Sequence, residues 1–280
     1  MKFEDLLWQN DRVLLGDLVF RLQHYVSDDW DLGDQCFVFY KIKPLVDQYA
    51  KFFASMSGFR TDNMLELGLW DGGSTAFWFE LLKPSKYVGL DRSEREDSAY
   101  FRTYVASKGI ADRIRTCWGT DQTDSAKLRS LVAQYLGGRL NLVIDDASHQ
   151  YEPTKRSFEI LFPVMEPGGV YIIEDWAWSH WPEFQAKTHP WVDKTPLTRL
   201  VFDLVEAAGS WVSGPAPKLI ERISLFQGFA AIERGQMMID DPEHFRLEQY
   251  VSRKPTPSLS RRALGKIKWG LDRHLLWRFK

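Results

Sequence analysis

Cysteine is almost absent: Cys36 and Cys117 are the only two in 280 residues, far apart and in no metal-binding spacing. A disulfide framework and a cysteine–zinc centre are therefore not expected, and a reducing compartment fits. No run of eighteen apolar residues exists, so nothing reads as a membrane span. The opening MKFEDLLWQN carries acids where a secretory signal needs a basic region and an apolar run, so the expected location is cytoplasmic. There is no strong excess of one charge; the formal net charge of −2 gives no global field to draw nucleic acid. Internal repeats, long low-complexity tracts and the dinucleotide fingerprint G-x-G-x-x-G are also missing.

What is present is a chain of ordinary composition, 44% hydrophobic and 26% charged, long enough for a full sheet with helices on both faces. Aromatics reach 14%, with twelve Trp, which serves either a lined pocket or a bulky core. The charge is uneven. From Arg253 to Lys280 there are nine Lys or Arg against Asp272 alone, which leaves a formal −10 on the rest.

Residues 1–60 read as mostly helical, with Leu6, Leu7, Val13, Leu14, Leu18, Phe20 and Leu22 at roughly helical spacing. A second helix is expected from about Tyr40 to Met56, with an acidic turn, SDDWDLGD, between them. From Asn63 the pattern becomes strand then helix, repeatedly. Strands are expected at Met64–Leu67, Tyr87–Leu90, Ile114–Trp118, Leu140–Ile144 and Val170–Ile173. Helices are expected from Ser74, over Asp97–Lys108, Ser125–Tyr135 and Pro153–Met165, and over Leu197–Ala208. Ile223–Phe226 and Phe229–Ile232 flank Gln227-Gly228 as a hairpin that adds an antiparallel edge. Such alternation predicts an α/β fold with a doubly wound, mostly parallel sheet of seven strands. Ligands on such a sheet bind beyond the carboxyl ends of the strands. Three parts follow: an N-terminal helical cap or oligomerisation segment (1–60), a cofactor domain (61–235) and a C-terminal extension with a basic amphipathic tail (236–280).

The segment LELGLWDGGST sets Glu66, Gly68, Gly72 and Ser74 at the junction of the first strand and its helix. Glycines let the backbone turn sharply and approach a ligand, and the helix start offers free N–H groups to an anion. Asp91 ends the second strand, where a carboxylate can accept both hydroxyls of a ribose. Asp121 and Gln122, in GTDQTD, end the third. The acidic-x-Gly-x-x-x-Gly spacing resembles the first motif of class I methyltransferases that use S-adenosylmethionine (SAM). That resemblance implies a loop around the methionine moiety and an adenine contact at Asp121 and Gln122. The bland alternative is a glycine-rich turn and a surface Asp.

The fourth strand runs into VIDDASH and the fifth into YIIEDW. If these strands are neighbours, about 4.8 Å apart, Asp146, Glu174 and Asp175 converge and repel unless a cation intervenes. Oxygen ligands suit Mg²⁺ or another hard divalent cation. His149, three residues after Asp146, suits a general base. Two substrate oxygens on the metal, proton removal by His149 and in-line attack on the methyl then make a mechanism. Asp145 either orients the loop or touches the cofactor side. The alternative is that Asp145 and Asp146 cap the next helix and His149 packs at its start.

The stretch from VIDDASH through EDWAWSHWPEF resembles the metal-dependent sugar O-methyltransferases of macrolide biosynthesis (the mycinamicin and macrocin type) and the related cephalosporin-pathway and rhamnosyl enzymes. The resemblance runs from about Asn63 to Glu233. Ala147 departs from it, standing where Gly is more frequent. It implies Mg²⁺ on Asp146, Glu174 and Asp175, His149 as base, a small-molecule or glycoside acceptor and a homo-oligomer. A non-sugar diol or catechol acceptor, and a non-catalytic SAM-binding partner protein, stay as alternatives. Trp176, Trp178, His180 and Trp181 read as an acceptor wall or as packing, and His180 and His189 as spare bases. Trp30, Phe37, Phe39 and Tyr40 line an acceptor pocket or fill the core. The basic tail, with Leu264, Ile267, Leu271 and Leu275 on one face, suits an anionic membrane or lipid-linked substrate, a partner, or the acidic body itself. Nucleic acid is not expected as a partner, and no Asn-Pro-Pro-aromatic motif follows the fourth strand.

Overall fold

The computed structural model describes residues 3–22, 35–210 and 217–252. The acidic turn SDDWDLGD, Trp30 and the basic tail lie outside the described residues.

Seven strands form the main sheet, in the order β10-β11-β9-β8-β5-β6-β7. They are β5 (Asn63–Leu67), β6 (Lys86–Leu90), β7 (Ile114–Cys117), β8 (Leu140–Asp145), β9 (Met165–Glu174), β10 (Ile220–Leu225) and β11 (Phe229–Arg234). The pairs among β5 to β9 are parallel, and β11 is antiparallel to both β9 and β10. The expected hairpin is present, but its second strand lies inside the sheet and its first forms the edge.

Strand residues point alternately to opposite faces, and the core divides accordingly. Met64, Leu142, Ile144, Val170 and Ile172 face one cluster with α1 (Lys43–Ala54), α2 (Gly73–Leu82) and α3 (Ala99–Lys108). Leu65, Val88, Val143, Tyr171 and Ile173 face the other with α4 (Ser125–Tyr135), α5 (Tyr151–Leu161) and α6 (Leu197–Gly209). These are the two helical layers of a doubly wound sheet. The described part of the C-terminal extension packs on the second layer, where Phe245 and Leu247 are buried and the Leu247 N–H reaches the Glu159 carboxylate.

The N-terminal segment corrects the expected helical cap. Residues 7–22 and 37–39 contribute a second sheet of four strands: β1 (Leu7–Trp8), β2 (Arg12–Leu15), β3 (Leu18–Leu22) and β4 (Phe37–Phe39). A two-residue turn at Gly16-Asp17, with Gly16 at φ +58°, pairs Leu15 with Leu18. That glycine-first turn suits a hairpin. In β3 burial alternates, with Leu18, Phe20 and Leu22 inward, so the same leucines that mimic a helical period obey a period of two. Among the described residues of this segment α1 is the one α-helix, as expected for Tyr40–Met56, and its buried face is Val46, Tyr49, Phe52 and Phe53. Among the described residues, no helix is long and apolar enough to cross a membrane.

Candidate active site

At the carboxyl ends of β5 to β9 lies a cavity of about 700 Å³. Its cofactor end begins with the loop after β5. Gly68 has φ +93°, and a Cβ there would overlap the carbonyl of Asp146. The glycine is thus required by the crossing of two loops as well as by any ligand. Gly72, at φ +87°, is the N-cap of α2, and neither it nor Glu66 lines the cavity. Glu66 is fully buried beneath the helix start, where it accepts hydrogen bonds from the Thr75 and Tyr87 hydroxyls. Burial raises its proton affinity. Its contacts tie the end of β5 to α2 and β6. Ser74 and Asp91 do line the cavity.

Asp91 accepts Leu69 N–H and Trp70 N–H on Oδ2 (2.9 and 3.0 Å) and Ser93 N–H on Oδ1 (2.8 Å). Burial pushes its carboxyl up, but these bonds outweigh it and hold the group below the usual carboxylate range. With about four lone-pair positions on a carboxylate, Asp91 keeps room for one further donor on Oδ1. Asp121 lines the cavity and accepts Thr123 N–H and O–H. Gln122 lines it too, but its amide is already engaged: Oε1 accepts Ser148 N–H and Nε2 donates to Ser157 Oγ. Sequence reading missed Asp71, a cavity residue whose carboxylate accepts Val38 N–H from β4 and Gly73 N–H from α2. Burial pushes it up to about 6.

The other end is built on β8 and β9, which are neighbours as the convergence argument requires. Asp145 is level with Ile173, so Asp146 lies beside Glu174. Period-two alternation separates the two aspartates. Asp145 faces the α5 layer, outside the cavity, and accepts Tyr171 O–H and Ser157 O–H, both at 2.7 Å. Burial pushes it up to about 6. Its partners are therefore protein side chains behind the cavity wall. Asp146 faces the cavity, with Oδ1 3.8 Å from His149 Nε2. Asp146, His149 and Asp175 offer ligand atoms that all lie within 4.8 Å of one another. His149 and Asp175 both have φ +53°, a strained conformation for residues other than glycine. Such strain often marks positions where function sets the geometry. The Trp178 indole donates to the His149 carbonyl at 2.7 Å.

Glu174 departs from expectation. It is 2% exposed and set back from the cavity wall. Lys41, which follows β4, fills the space between: its ammonium donates to Asp146 Oδ2 (2.8 Å) and to Glu174 Oε1 and Oε2 (2.7 and 2.8 Å). Tyr49 O–H donates to Glu174 Oε1 at 2.7 Å. Burial alone would lower the Lys41 pKa, but the two carboxylates hold it above the ordinary lysine range. Burial and the Asp146 charge push Glu174 up. Sequence reading missed both Lys41 and Tyr49. Tyr49 is legible as part of the buried face of α1, whereas a lone Lys gives no sign of burial without its partners.

The tryptophan loop is packing. Trp178 is buried against Phe184 and Trp191, Trp176 donates to Phe226 O, and none of the three lines the cavity. His180 meets Thr198, His189 accepts Trp191 N–H, and neither reaches the site. Phe37 is core, while Phe39 and Tyr40 contribute to the cavity wall beside Trp70.

A cavity with a carboxylate at the second strand end and an acid–histidine cluster at the fourth and fifth can be set against known proteins. Residues 65–176 match the family described as "Methyltransferase domain". Demethylmacrocin O-methyltransferase of Streptomyces fradiae is 32% identical over 187 residues, 61% of this chain and 44% of that one. Mycinamicin VI 2''-O-methyltransferase of Micromonospora griseorubida is 34% identical over 136 residues, 45% of this chain and 30% of that one. This chain thus covers less than half the length of either. A solved structure of MycE methyltransferase from the mycinamycin pathway, in complex with Mg, SAH and mycinamycin VI, superposes with a TM-score of 0.51. It is 25% identical, with 77% of this chain and 54% of that chain covered. Residues 65–176 are therefore a methyltransferase domain within a sheet of the class I methyltransferase fold, and homologues of the chain include the O-methyltransferases named for demethylmacrocin and mycinamicin VI.

Proposed function

We propose that this chain is a SAM-dependent O-methyltransferase that methylates a sugar hydroxyl of a glycoside, with a divalent cation at the acceptor end. The observation that carries the reading is one cavity joining Asp91 and Thr120–Thr123 to Asp146, His149 and Asp175. A donor and an acceptor can meet there. The names of the two relatives support the substrate class.

SAM supplies an electrophilic methyl, and a divalent cation would acidify the hydroxyl. The donor set fits such an ion: carboxylate oxygens of Asp146 and Asp175 face the cavity, beside His149. At the cofactor end, Asp91 Oδ1 would accept a ribose hydroxyl, with Asp121 available to the adenine and Ser74 to the methionine moiety. The loop from Gly68 to Asp71 fixes their relative positions. His149 removes the hydroxyl proton, and Asp146 Oδ1, 3.8 Å from Nε2, stabilises the imidazolium that results. With SAM bound, the oxygen so prepared would accept the methyl as its bond to sulfur breaks and S-adenosylhomocysteine leaves. Alignment of this kind is worth about 7–11 kcal/mol of barrier when near ideal.

Calorimetry with SAM and S-adenosylhomocysteine, with mass detection of methylated products from a glycoside panel, tests the reading. His149→Ala should lower kcat by about 10²–10⁴-fold while leaving cofactor affinity nearly unchanged. Absence of cofactor binding under any condition would sink the proposal. Full activity in His149→Ala would remove the base assignment.

A further inference from the structure

Three carboxylates converge at the acceptor end, yet they are not equivalent. An ammonium has three N–H donors, and Lys41 has three acceptor contacts, two of them to Glu174. Glu174 Oε1 also takes the Tyr49 hydroxyl. Both oxygens of Glu174 are therefore committed to groups from the N-terminal segment, and the residue is buried behind Lys41. Asp146 is split between the two environments. Its Oδ2 meets Lys41, while its Oδ1 turns to His149. Asp175 makes no ion pair with Lys41 and joins the cavity-facing cluster.

We infer that Lys41 is a built-in counter-cation that withdraws Glu174 from the metal shell, so that among the carboxylates only Asp146 and Asp175 ligate the ion. The inference rests on the metal-assisted reading above, and departs from the three-carboxylate set that the family resemblance implies. Charge supports it. The Lys41 ammonium already offsets part of the negative charge of this acidic cluster, and a divalent ion would offset the part that faces the cavity. For Glu174 to ligate as well, the ion would have to share oxygens that already take three donor contacts from Lys41 and Tyr49, and the buried ammonium would lose part of its compensation. A two-carboxylate site also suits Mg²⁺, which is commonly held by one or two carboxylates and keeps its other positions for water or substrate oxygens. Lys41 is thus a positioning residue. Through it the N-terminal segment decides how many positions the ion offers to an acceptor.

The test is Mn²⁺ affinity by electron paramagnetic resonance on the full chain, for wild type and variants at Lys41, Glu174 and Asp175. Asp175→Asn should weaken Mn²⁺ binding by about 100-fold or more, and Glu174→Gln, acting only through Lys41, by about 10-fold or less. Lys41→Met should tighten binding by about 10-fold, since one positive charge leaves and Glu174 becomes free to ligate. In that background Glu174→Gln should become as costly as Asp175→Asn. A purely structural role for Lys41 predicts no such coupling. Lys41→Gln serves the same cycle if Lys41→Met does not fold, and thermal melts with and without Mn²⁺ report folding. Equal costs for Glu174→Gln and Asp175→Asn in the wild-type background would overturn the inference. So would Mn²⁺ binding that weakens when Lys41 is removed. Mn²⁺ binding only after Lys41 is removed would show that the ammonium replaces the metal. No Mn²⁺ binding by any variant would remove the metal reading itself. Both of these results overturn the inference but leave cofactor binding, and hence the methyltransferase reading, standing.

Discussion

The two ends of the cavity are made from different materials. At the cofactor end, side chains are pinned by main-chain N–H groups: Asp91 by Leu69, Trp70 and Ser93, and Asp121 by Thr123. At the acceptor end, side chains are pinned by other side chains: Asp146 and Glu174 by Lys41, Glu174 by Tyr49, Asp145 by Tyr171 and Ser157. Backbone N–H groups favour the ionised carboxylate and are fixed by the fold. Buried side-chain networks set several titratable groups against one another at low dielectric. The first arrangement suits binding a constant cofactor. The second can be retuned by single substitutions.

The sharpest way to break this comparison is at Gly68, where the ends touch. Gly68→Ala places a Cβ against the Asp146 carbonyl at a φ of +93°. Loss of about 3 kcal/mol or more is expected, read by urea unfolding. Mn²⁺ affinity should fall together with cofactor affinity, because the Asp146 loop must move. A stable variant that loses only cofactor binding would show that the ends are mechanically independent.

The same division governs what could be read from the sequence. The seven strands, the helices between them and the strand-end positions of Asp91, Asp146 and Asp175 follow from local periodicity and from turn residues. Those signals depend on a few neighbours. The N-terminal hairpin was misread because leucines at 14, 18 and 22 satisfy a helical spacing while Leu18, Phe20 and Leu22 also satisfy a strand's. Gly16-Asp17 was the deciding signal. Lys41 and Tyr49 were illegible as site residues. Their meaning lies in Glu174, 133 and 125 positions away, and a single sequence does not display that pairing. Asp145 and Asp146 could be told apart only once β8 had a register, because alternation then assigns one to each face.

Two carboxyls sharpen the contrast through pH. Asp145 is pushed up to about 6 in the folded protein from an ordinary 3.8. The folded state therefore holds its proton more tightly, and the associated stability is present below about pH 4 and lost as pH rises through 6, about 3 kcal/mol in all. Asp91 has the opposite sign. Its carboxyl is lowered in the folded state, so its contribution is present above the ordinary carboxylate range and lost as pH falls through its folded value. Urea unfolding from pH 2.5 to 7.5 should show Asp145→Asn gaining on wild type as pH rises from about 4 to 6, and Asp91→Asn losing ground as pH rises through the range below about 4. Parallel profiles for the two variants would mean that both carboxyls experience the same surroundings.

The smallest expected effect concerns a single hydrogen bond on the acceptor side. Trp178 is held by Phe184 and Trp191, and its indole N–H meets the carbonyl of His149, whose φ of +53° needs support. Trp178→Phe keeps an aromatic ring in the same packing and removes only the donor. Stability should fall by about 1–2 kcal/mol for the buried carbonyl left unpaired. If His149 then relaxes out of the left-handed region, kcat should fall by about 10-fold while cofactor affinity is unchanged. A change in cofactor affinity of the same size would instead place the loop after β8 under joint control of both ends, through the Gln122 side chain that accepts Ser148 N–H. The acceptor end would then not be separately tunable.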